Sequence, residues 1–313
     1  MSDKSSVILI FGGNGWIGSK VVKLLEENTN TKVTVIKSSC RADDLIGVQK
    51  EIDSIGNVTH IMSFIGRTHG TFENEVIGTI DYLEKPGKLV DNIKDNLFSP
   101  IGLAELGKKN NIHFTYLGTG CIFEYDDKHL LGDETTGFIE SDLPNFVGSS
   151  YSIVKGYTDR LMQALYNDTT LNARIRMPIT DELDSPRNFI RKITSYKKIC
   201  SVPNSMTVLN ELLPVLIELA LHGQVGTINL TNPGVISHNE ILTMYKEIVD
   251  PDFTWDNFSI EEQNQILASK RSNNCLDASK LCDIDFLSSN VNINPIKDAV
   301  RNMLVQIKEK KEK

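Results

Sequence analysis

The sequence predicts an α/β protein, a doubly wound parallel sheet followed by a smaller α/β domain. Three observations carry that prediction. Short apolar segments at Ser6 to Phe11, His60 to Ile65, Ile112 to Leu117 and Leu171 to Met177 alternate with helical patterns, the rhythm of a parallel sheet. A turn holding Gly12, Gly15 and Gly18 joins the first of them to a helix with Ile17, Val21, Leu24 and Leu25 at helical spacing,. Beyond about residue 180 the texture changes, which divides the chain into 1–180 and 181–313, with a segment near 205–235 returning to the sheet.

Each element follows in order. Ser6 to Phe11 reads as a buried strand. The glycines after it let the backbone turn tightly and approach a pyrophosphate, with the helix N–H groups from Trp16, Ile17 and Gly18 aimed at the anion,. A glycine-rich turn that binds nothing is the bland alternative. Strand before and helix after favour a dinucleotide site of the Rossmann kind.

Lys32 to Ile36 reads as the second strand, followed by Lys37, Ser38 and Arg41 with no acid for ribose hydroxyls. That cluster suits a 2′-phosphate, so NADPH is the expected cofactor and NADH the alternative. The third strand, His60 to Ile65, leads into Gly66-Arg67-Thr68-His69-Gly70 at the carboxyl edge of the sheet. Thr71 to Leu89 reads as a loop with short helical pieces, and Asp91 to Lys108 as a helix interrupted at Pro100,. Thr119 falls just past the fourth strand, and Phe123 to Pro144 reads as an acidic rim.

Ser152 to Leu165 is a helix, and Tyr151 lies one turn from Lys155 on the same face,. An ammonium there favours the phenolate and lowers a tyrosine pKa from about 10. Tyr151 is therefore a candidate proton donor. Leu171 to Met177 is a strand stopped by Pro178. Ser185-Pro186-Arg187 reads as the cap of a helix from Asn188 to Tyr196, and Val208 to Leu221 as another helix. Gly226 to Leu230 is the late strand, Ser237 to Glu240 has a capping-box pattern for a helix to Val249, and Pro251 to Asn274 is polar with aromatics,. Ile296 to Lys310 closes the chain as an amphipathic helix running into a solvated tail to Lys313,. There are no internal repeats.

Composition excludes other classes. Hydrophobic residues make up 40% and charged residues 24%, ordinary for a globular protein,. A net charge of -8 argues against nucleic-acid binding,. The apolar run Val7 to Phe11 is too short for a membrane span or a signal core, so a cytoplasmic location with no membrane partner is expected,. Asn-x-Ser/Thr matches at Asn57, Asn167, Asn229 and Asn257 are then chance. Five scattered cysteines, Cys40, Cys121, Cys200, Cys275 and Cys282, suit reduced thiols, and no ligand spacing calls for a metal,.

With Gly12-x-x-Gly15-x-x-Gly18, Thr119 and Tyr151-x-x-x-Lys155 in this order, the chain resembles an extended short-chain dehydrogenase/reductase. Further segments narrow this: Thr119 to Tyr125, Pro144 to Gly148, Arg174 to Pro178, Pro186 to Ile190, Pro203 to Thr207, Asn232 to Asn239 and Arg271 to Asn274. They are similar to bifunctional 3,5-epimerase/4-reductases that make nucleotide-activated L-rhamnose, known as the C-terminal part of plant rhamnose synthases. Single-function dTDP-4-dehydrorhamnose reductases are a more distant match.

The resemblance implies a nucleotide-linked 4-keto-6-deoxy-D-glucose, with UDP preferred, as substrate. It implies epimerisation at C3 and C5 by Cys121 and Lys192 as acid and base, then reduction at C4. Tyr151 would donate a proton, Lys155 would support it and bind the nicotinamide ribose, and Thr119 would bond the keto oxygen. Phe64, Gly66 and Pro178 would join the cofactor site; Asn145, Asn188 and Arg271 would join Thr119, Cys121 and Lys192 on the substrate.

Each role has a plainer counterpart: a strand-end hydroxyl for Thr119, a packed thiol for Cys121, a solvated amine for Lys192. A 4,6-dehydratase would carry Asp-Glu after the threonine. Gly120-Cys121 stands there instead, so a separate dehydratase must supply the substrate. Ser63-Phe64-Ile65 departs from the small residues of the family, and the loop from Gly66 to Leu89 is longer than in the plant proteins. The competing readings are a reductase without epimerase activity and a catalytically silent dinucleotide-binding subunit. The resemblance leaves a homodimer open.

Overall fold

The computed structural model describes residues 5–27, 32–288, 291 and 293–312. Lys313, the end of the expected tail, lies outside them. The chain begins β1 (Ser6–Phe11), α1 (Trp16–Glu27), β2 (Val33–Lys37), α2 (Leu45–Ile55) and β3 (His60–Ser63). A hairpin of β4 (Gly70–Phe72) and β5 (Glu75–Ile77) comes next, then a 3-10 turn (Ile80–Glu84). One bent helical run follows: α3 (Lys88–Ile93), a π turn (Lys94–Phe98) and α4 (Ser99–Lys109). It leads to β6 (His113–Thr119), α5 (Ser150–Tyr166), β7 (Thr170–Ile175) and β8 (Pro178–Ile179). Then come α6 (Phe189–Ser195), β9 (Lys198–Ile199), β10 (Thr207–Val208), α7 (Leu209–Leu221) and β11 (Gly226–Asn229). The remainder holds α8 (His238–Ile248), β12 (Asp256–Asn257), α9 (Ile260–Ile266), α10 (Ser279–Cys282), α11 (Asp285–Ser288) and α12 (Ile296–Lys311).

Six strands form one sheet in the order β11-β7-β6-β3-β1-β2. β1 pairs in parallel with β2 on one side and β3 on the other, and β3 pairs in parallel with β6. The strand order therefore reverses between β1 and β3. Loops leaving the carboxyl ends of those two strands splay apart, and ligands of such sheets bind there. Every residue of β3 and β7 is buried, as expected of strands covered on both faces.

The chain divides into two compact units, each made of several segments. The first is Met1–Thr119, Ser150–Arg174 and Leu213–Ile228; the second is Gly120–Ser149, Ile175–Leu212 and Asn229–Lys313. A core in the first unit gathers Leu9, Phe11, Val48, Leu103, Phe114 and Met162. The second has its own core around Ile179, Ile190, Val208, Leu242, Val300 and Leu304. Beside the division expected near 180 with a segment near 205–235 returning, the chain passes between these units five times. The late strand does return to the sheet, as β11.

Other expectations need correction. Thr119 is the last residue of β6, not a residue beyond it, and Pro178 opens β8 instead of only ending β7. β8 pairs with β10, and β9 with β12 in the segment after Pro251. The stretch from Thr71 contains a hairpin whose tip, Glu73 and Asn74, has positive φ. Pro100 sits in the first turn of α4, and since the run continues from the π turn its missing N–H leaves the Asn96 carbonyl without that helical partner,. The Asn96 carbonyl four residues earlier accepts from the Thr158 hydroxyl at 2.7 Å. Asn188, not Ser185, caps α6, its side chain accepting from the Ile190 N–H. Phe123 and Phe138, within the expected rim from Phe123 to Pro144, are buried and stacked with centroids 4.4 Å apart.

Among the described residues no helix is long and apolar enough to cross a membrane.

Candidate active site

In the first unit, β1 delivers the chain to Gly12, whose φ of +74° is left-handed and where a Cβ would lie 3.0 Å from the Phe64 carbonyl carbon,. The Gly15 N–H donates to the Gly12 carbonyl at 2.9 Å. At Gly18 a Cβ would overlap that same carbonyl oxygen, so α1 can start this close to the turn only with glycine. Trp16, in the first turn of α1, has a buried indole N–H without a partner. Beside the turn a cavity of about 450 Å³ is lined by Gly12, Ser38, Arg41, Gly66, Arg67 and Asp95, among others. The glycine cradle, the orphaned indole donor and the cavity together fit a dinucleotide.

The loop after β2 holds the charges at one side of this cavity. Lys37 and Arg41 are exposed there, and Lys37 lays its stem beside Gly13. Ser38 is less free than its sequence suggests: its hydroxyl donates to Glu51 at 2.5 Å, and Ser39 gives its N–H and hydroxyl to the other oxygen at 2.8 Å. Burial raises the Glu51 pKa, but the hydrogen bonds from Ser38 and Ser39 outweigh it and hold the carboxylate low. Ser38 thus shapes the loop while Lys37 and Arg41 supply positive charge. On the far side, Asn96 in the π turn clamps the chain after Gly66, accepting from the Arg67 N–H and donating to the Arg67 carbonyl at 2.9 Å each. Arg67 pairs with Asp95 at 2.5 Å. Glu51, Asn96 and Asp95 were invisible to the motif reading because each acts through a neighbour distant in sequence.

Tyr151 stands in the first turn of α5, whose start is tied down by the 3-10 turn: the Ser150 N–H donates to the Glu84 carboxylate at 2.8 Å. The stretch read as a loop with short helical pieces therefore sets the entry of the helix that carries Tyr151. One turn on, Lys155 is 4% exposed and donates to the hydroxyl of Tyr116 on β6. Its ammonium lies 4.5 Å from the ring centroid. Burial, with the nearby Tyr151 and Asp159, raises the Tyr116 pKa well above the usual range, so Tyr116 stays a neutral phenol. Sequence reading passed over it as one more core residue of a strand. Thr119 ends the same strand and is buried. The structure thus gathers Tyr151, Lys155, Tyr116 and Thr119 on α5 and β6 of one unit.

The second unit holds the remaining candidates. Cys121 follows Thr119 by two residues, so covalent geometry alone keeps their Cα atoms within about 7 Å. Lys192 lies on α6, where burial, then the positive charges of Arg187 and Arg271, hold its pKa below that of an ordinary lysine. Arg271 donates to the Ser269 carbonyl at 3.0 Å. Arg187 is a further cation of this cluster that the motif reading did not assign.

Two residues expected on the substrate have other work. Asn188 is fully buried, its amide donating to the Thr180 and Glu182 carbonyls at 2.7 and 2.9 Å. Asn145 donates to the Glu124 carbonyl at 2.9 Å and the Asp126 carboxylate at 3.0 Å, and accepts from the Glu124 N–H. With both donors engaged, each asparagine holds backbone in place. Pro178 belongs to the second unit, paired through β8 with Thr207 on β10.

The sequence profile of the NAD dependent epimerase/dehydratase family matches residues 8–195. The chain belongs to this family. The crystal structure of the L780 UDP-rhamnose synthase from Acanthamoeba polyphaga mimivirus is 49% identical, with a TM-score of 0.88 over 97% of this chain and 100% of that one. A bifunctional dTDP-4-dehydrorhamnose 3,5-epimerase/dTDP-4-dehydrorhamnose reductase of Arabidopsis thaliana is 42% identical over 280 residues, 90% of this chain and 88% of that protein. A dTDP-4-dehydrorhamnose reductase structure from Yersinia enterocolitica shares the fold, with a TM-score of 0.73 at 18% identity over 97% of this chain and all of the other. The epimerase/dehydratase family's parallel sheet is the one read from the sequence. Among the described residues no group of three or more His, Cys, Asp or Glu side chains could hold a metal, and no disulfide joins any of the five cysteines.

Proposed function

We propose that this protein is an NADPH-dependent 3,5-epimerase/4-reductase that converts a nucleotide-linked 4-keto-6-deoxy-D-glucose into nucleotide-L-rhamnose. The observation that carries it is near-full-length identity, at 42%, with a bifunctional epimerase/reductase that shares both activities in one chain of this size. The 49% identity with a UDP-rhamnose synthase favours UDP as the nucleotide. NADPH, when bound, supplies the hydride that reaches C4.

The chain's residues do the rest. Backbone N–H groups from Trp16 to Gly18 and the Trp16 indole meet the pyrophosphate, and Lys37 and Arg41 meet the 2′-phosphate. Tyr151 gives its proton to the oxygen at C4, Lys155 favours the phenolate that remains, and Thr119 bonds the keto oxygen.

Before reduction, the C4 ketone acidifies the hydrogens at C3 and C5. Cys121 takes the proton from one face, and Lys192 gives one to the other. A lysine whose ammonium is destabilised by burial and by Arg187 and Arg271 is the readier proton donor,. Gly120-Cys121 in place of an acidic pair leaves no group to expel the C6 hydroxyl, so a separate 4,6-dehydratase supplies the substrate. A cytoplasmic enzyme with reduced thiols accords with this reading.

Incubation with UDP- and dTDP-4-keto-6-deoxyglucose in deuterated water with NADPH tests it. Nucleotide-L-rhamnose labelled at C3 and C5 is the expected product by NMR; reduction without label at either carbon leaves a plain reductase, and no NADPH oxidation leaves a silent subunit. Cys121→Ala should suppress the label, and unchanged uptake would reassign the base.

A further inference from the structure

Two arginines stand two residues apart where β7 runs toward β8, and the structure treats them differently. Arg174 meets Asp159 through two bonds, Nε to Oδ1 at 2.9 Å and Nη2 to Oδ2 at 2.7 Å. Arg176 is equally buried, at 0% exposure, but among the described residues no carboxylate pairs with it. Its guanidinium donates only to neutral oxygens and to one sulfur. Nη1 reaches Ser272 Oγ at 3.1 Å, the Gly120 carbonyl at 3.4 Å and Cys121 Sγ at 3.5 Å. Nη2 donates to Asn204 Oδ1 and, at 2.7 Å, to the Ser272 carbonyl, while Nε has no partner.

A buried charge without a counter-charge costs several kcal/mol, and neutral acceptors offset only part of that. Three groups close to Arg176 can carry a negative charge: Cys121, Tyr125 and Cys275. Burial pushes Tyr125 up to about 12 and Cys275 up to about 11, so neither is an anion at neutral pH. His238 also faces Arg176, and burial lowers its pKa, which keeps it neutral. Cys121, whose sulfur lies 3.5 Å from Nη1, is the third of these groups and is partly exposed.

We infer that Arg176 is a positioning residue whose guanidinium is the charge partner of the Cys121 thiolate. Through Nη1 it holds both the sulfur and the carbonyl of the preceding residue, which fixes where the sulfur points. The inference deepens the epimerase reading and rests on it. In the step, the thiolate takes the proton from C3 or C5 as an S–H bond forms. The C–H electron pair passes to the C4 oxygen as an enolate, and Lys192 returns a proton to the opposite face of the carbon. The guanidinium offsets the sulfur's charge before the transfer; afterwards the thiol releases its proton to solvent and the neutral Lys192 amine takes one up, which restores the starting state.

The test compares wild type with Arg176→Met and Arg176→Lys in the full-length protein. The rate of Cys121 alkylation by iodoacetamide is followed against pH by peptide mass spectrometry. A cooperative thermal transition like that of wild type, together with NADPH binding, reports that each variant is folded. In Arg176→Met the alkylation profile should move to higher pH by about one unit or more, with deuterium uptake falling at least about tenfold. Arg176→Lys should restore much of the profile. An unchanged profile in folded Arg176→Met would overturn the inference.

Should that variant not fold, the ultraviolet thiolate absorbance of wild type minus Cys121→Ser decides. Onset at lower pH than in the urea-unfolded protein supports the pairing, and the same onset overturns it. Failure of the epimerase reading looks different: wild type would then take up no deuterium from either nucleotide sugar, whatever the alkylation profile.

Discussion

A phenol serves as an acid near neutral pH only if something stabilises the anion it leaves behind, and Lys155 is the group built for that. Its ammonium is buried on α5 and bonded to Tyr116, a phenol that burial keeps protonated. Tyr116 thus holds the amine, which leaves Tyr151, one turn away on the same helix, as the proposed proton donor. Tyr151→Phe should lower NADPH oxidation about 10²-fold or more while NADPH binding changes little; turnover near wild type would remove Tyr151 from the mechanism. A second single-residue effect sits far from the chemistry. His60 on β3 faces His113 across the strand pair, with ring centroids 5.4 Å apart. Burial, then the neighbouring His113, lowers the His60 pKa from 6.5 to about 4. Between those values the unfolded chain binds the proton and the folded one does not, so stability is full above pH 6.5 and falls as pH drops toward 4,. The loss is at most about 3 kcal/mol. His60→Gln should flatten the urea-unfolding midpoint against pH over that interval, and an equally steep profile in the variant would clear His60 of the acid sensitivity.

At the level of elements, α5 owes its position to groups on two neighbours, β7 and the π turn. Asp159 takes both bonds from Arg174 on β7, another from Asn172 at 2.7 Å and one from Gln163 at 2.7 Å. Thr158 bonds the Asn96 carbonyl of the π turn. Asp159→Asn leaves a fully buried guanidinium uncompensated and should cost about 3–5 kcal/mol in chemical denaturation. Thr158→Val withdraws one neutral hydrogen bond and should cost about 1 kcal/mol. Similar losses from the two would show that charge is not what fixes the helix. These contacts also mark where the sequence stops being informative. The strands at Ser6, His60 and Ile112 and the helix at Ser237 were legible because burial period and a capping box are local signals. Tyr116, Glu51 and Asn96 were not, since an alternating strand or an ordinary helix reveals which residues are buried but not which partner each one meets. Pro100 misled for a related reason: the compensating hydroxyl lies 58 residues away. Asn145 and Asn188 sat in telling motifs and still proved to hold backbone, because a motif preserves scaffold as readily as it preserves contact with a ligand.

For the molecule as a whole, the chain's path decides what can fold alone. A boundary near 180 would make residues 1–180 a self-sufficient cofactor domain. The first unit, however, draws on Leu213–Ile228, contributed long after that point. Leu213, Leu216, Leu219 and Ile228 are at most 2% exposed, and at about 2 kcal/mol each their burial is worth on the order of 8 kcal/mol. A typical domain has only about 5–15 kcal/mol to lose. The same cut strips β11 from the sheet and leaves β7, with Leu171 and Ala173 fully buried in the intact protein, as a bare edge open to pairing with other chains,. A fragment of residues 1–180 should therefore show no cooperative thermal transition, bind no NADPH and aggregate when concentrated. A chain in which residues 213–228 are rejoined to residues 1–174 by a flexible linker should regain part of both properties, because it restores every strand of the first unit. Cooperative melting and NADPH binding by the simple 1–180 fragment would mean that the returning segment decorates the sheet instead of completing it.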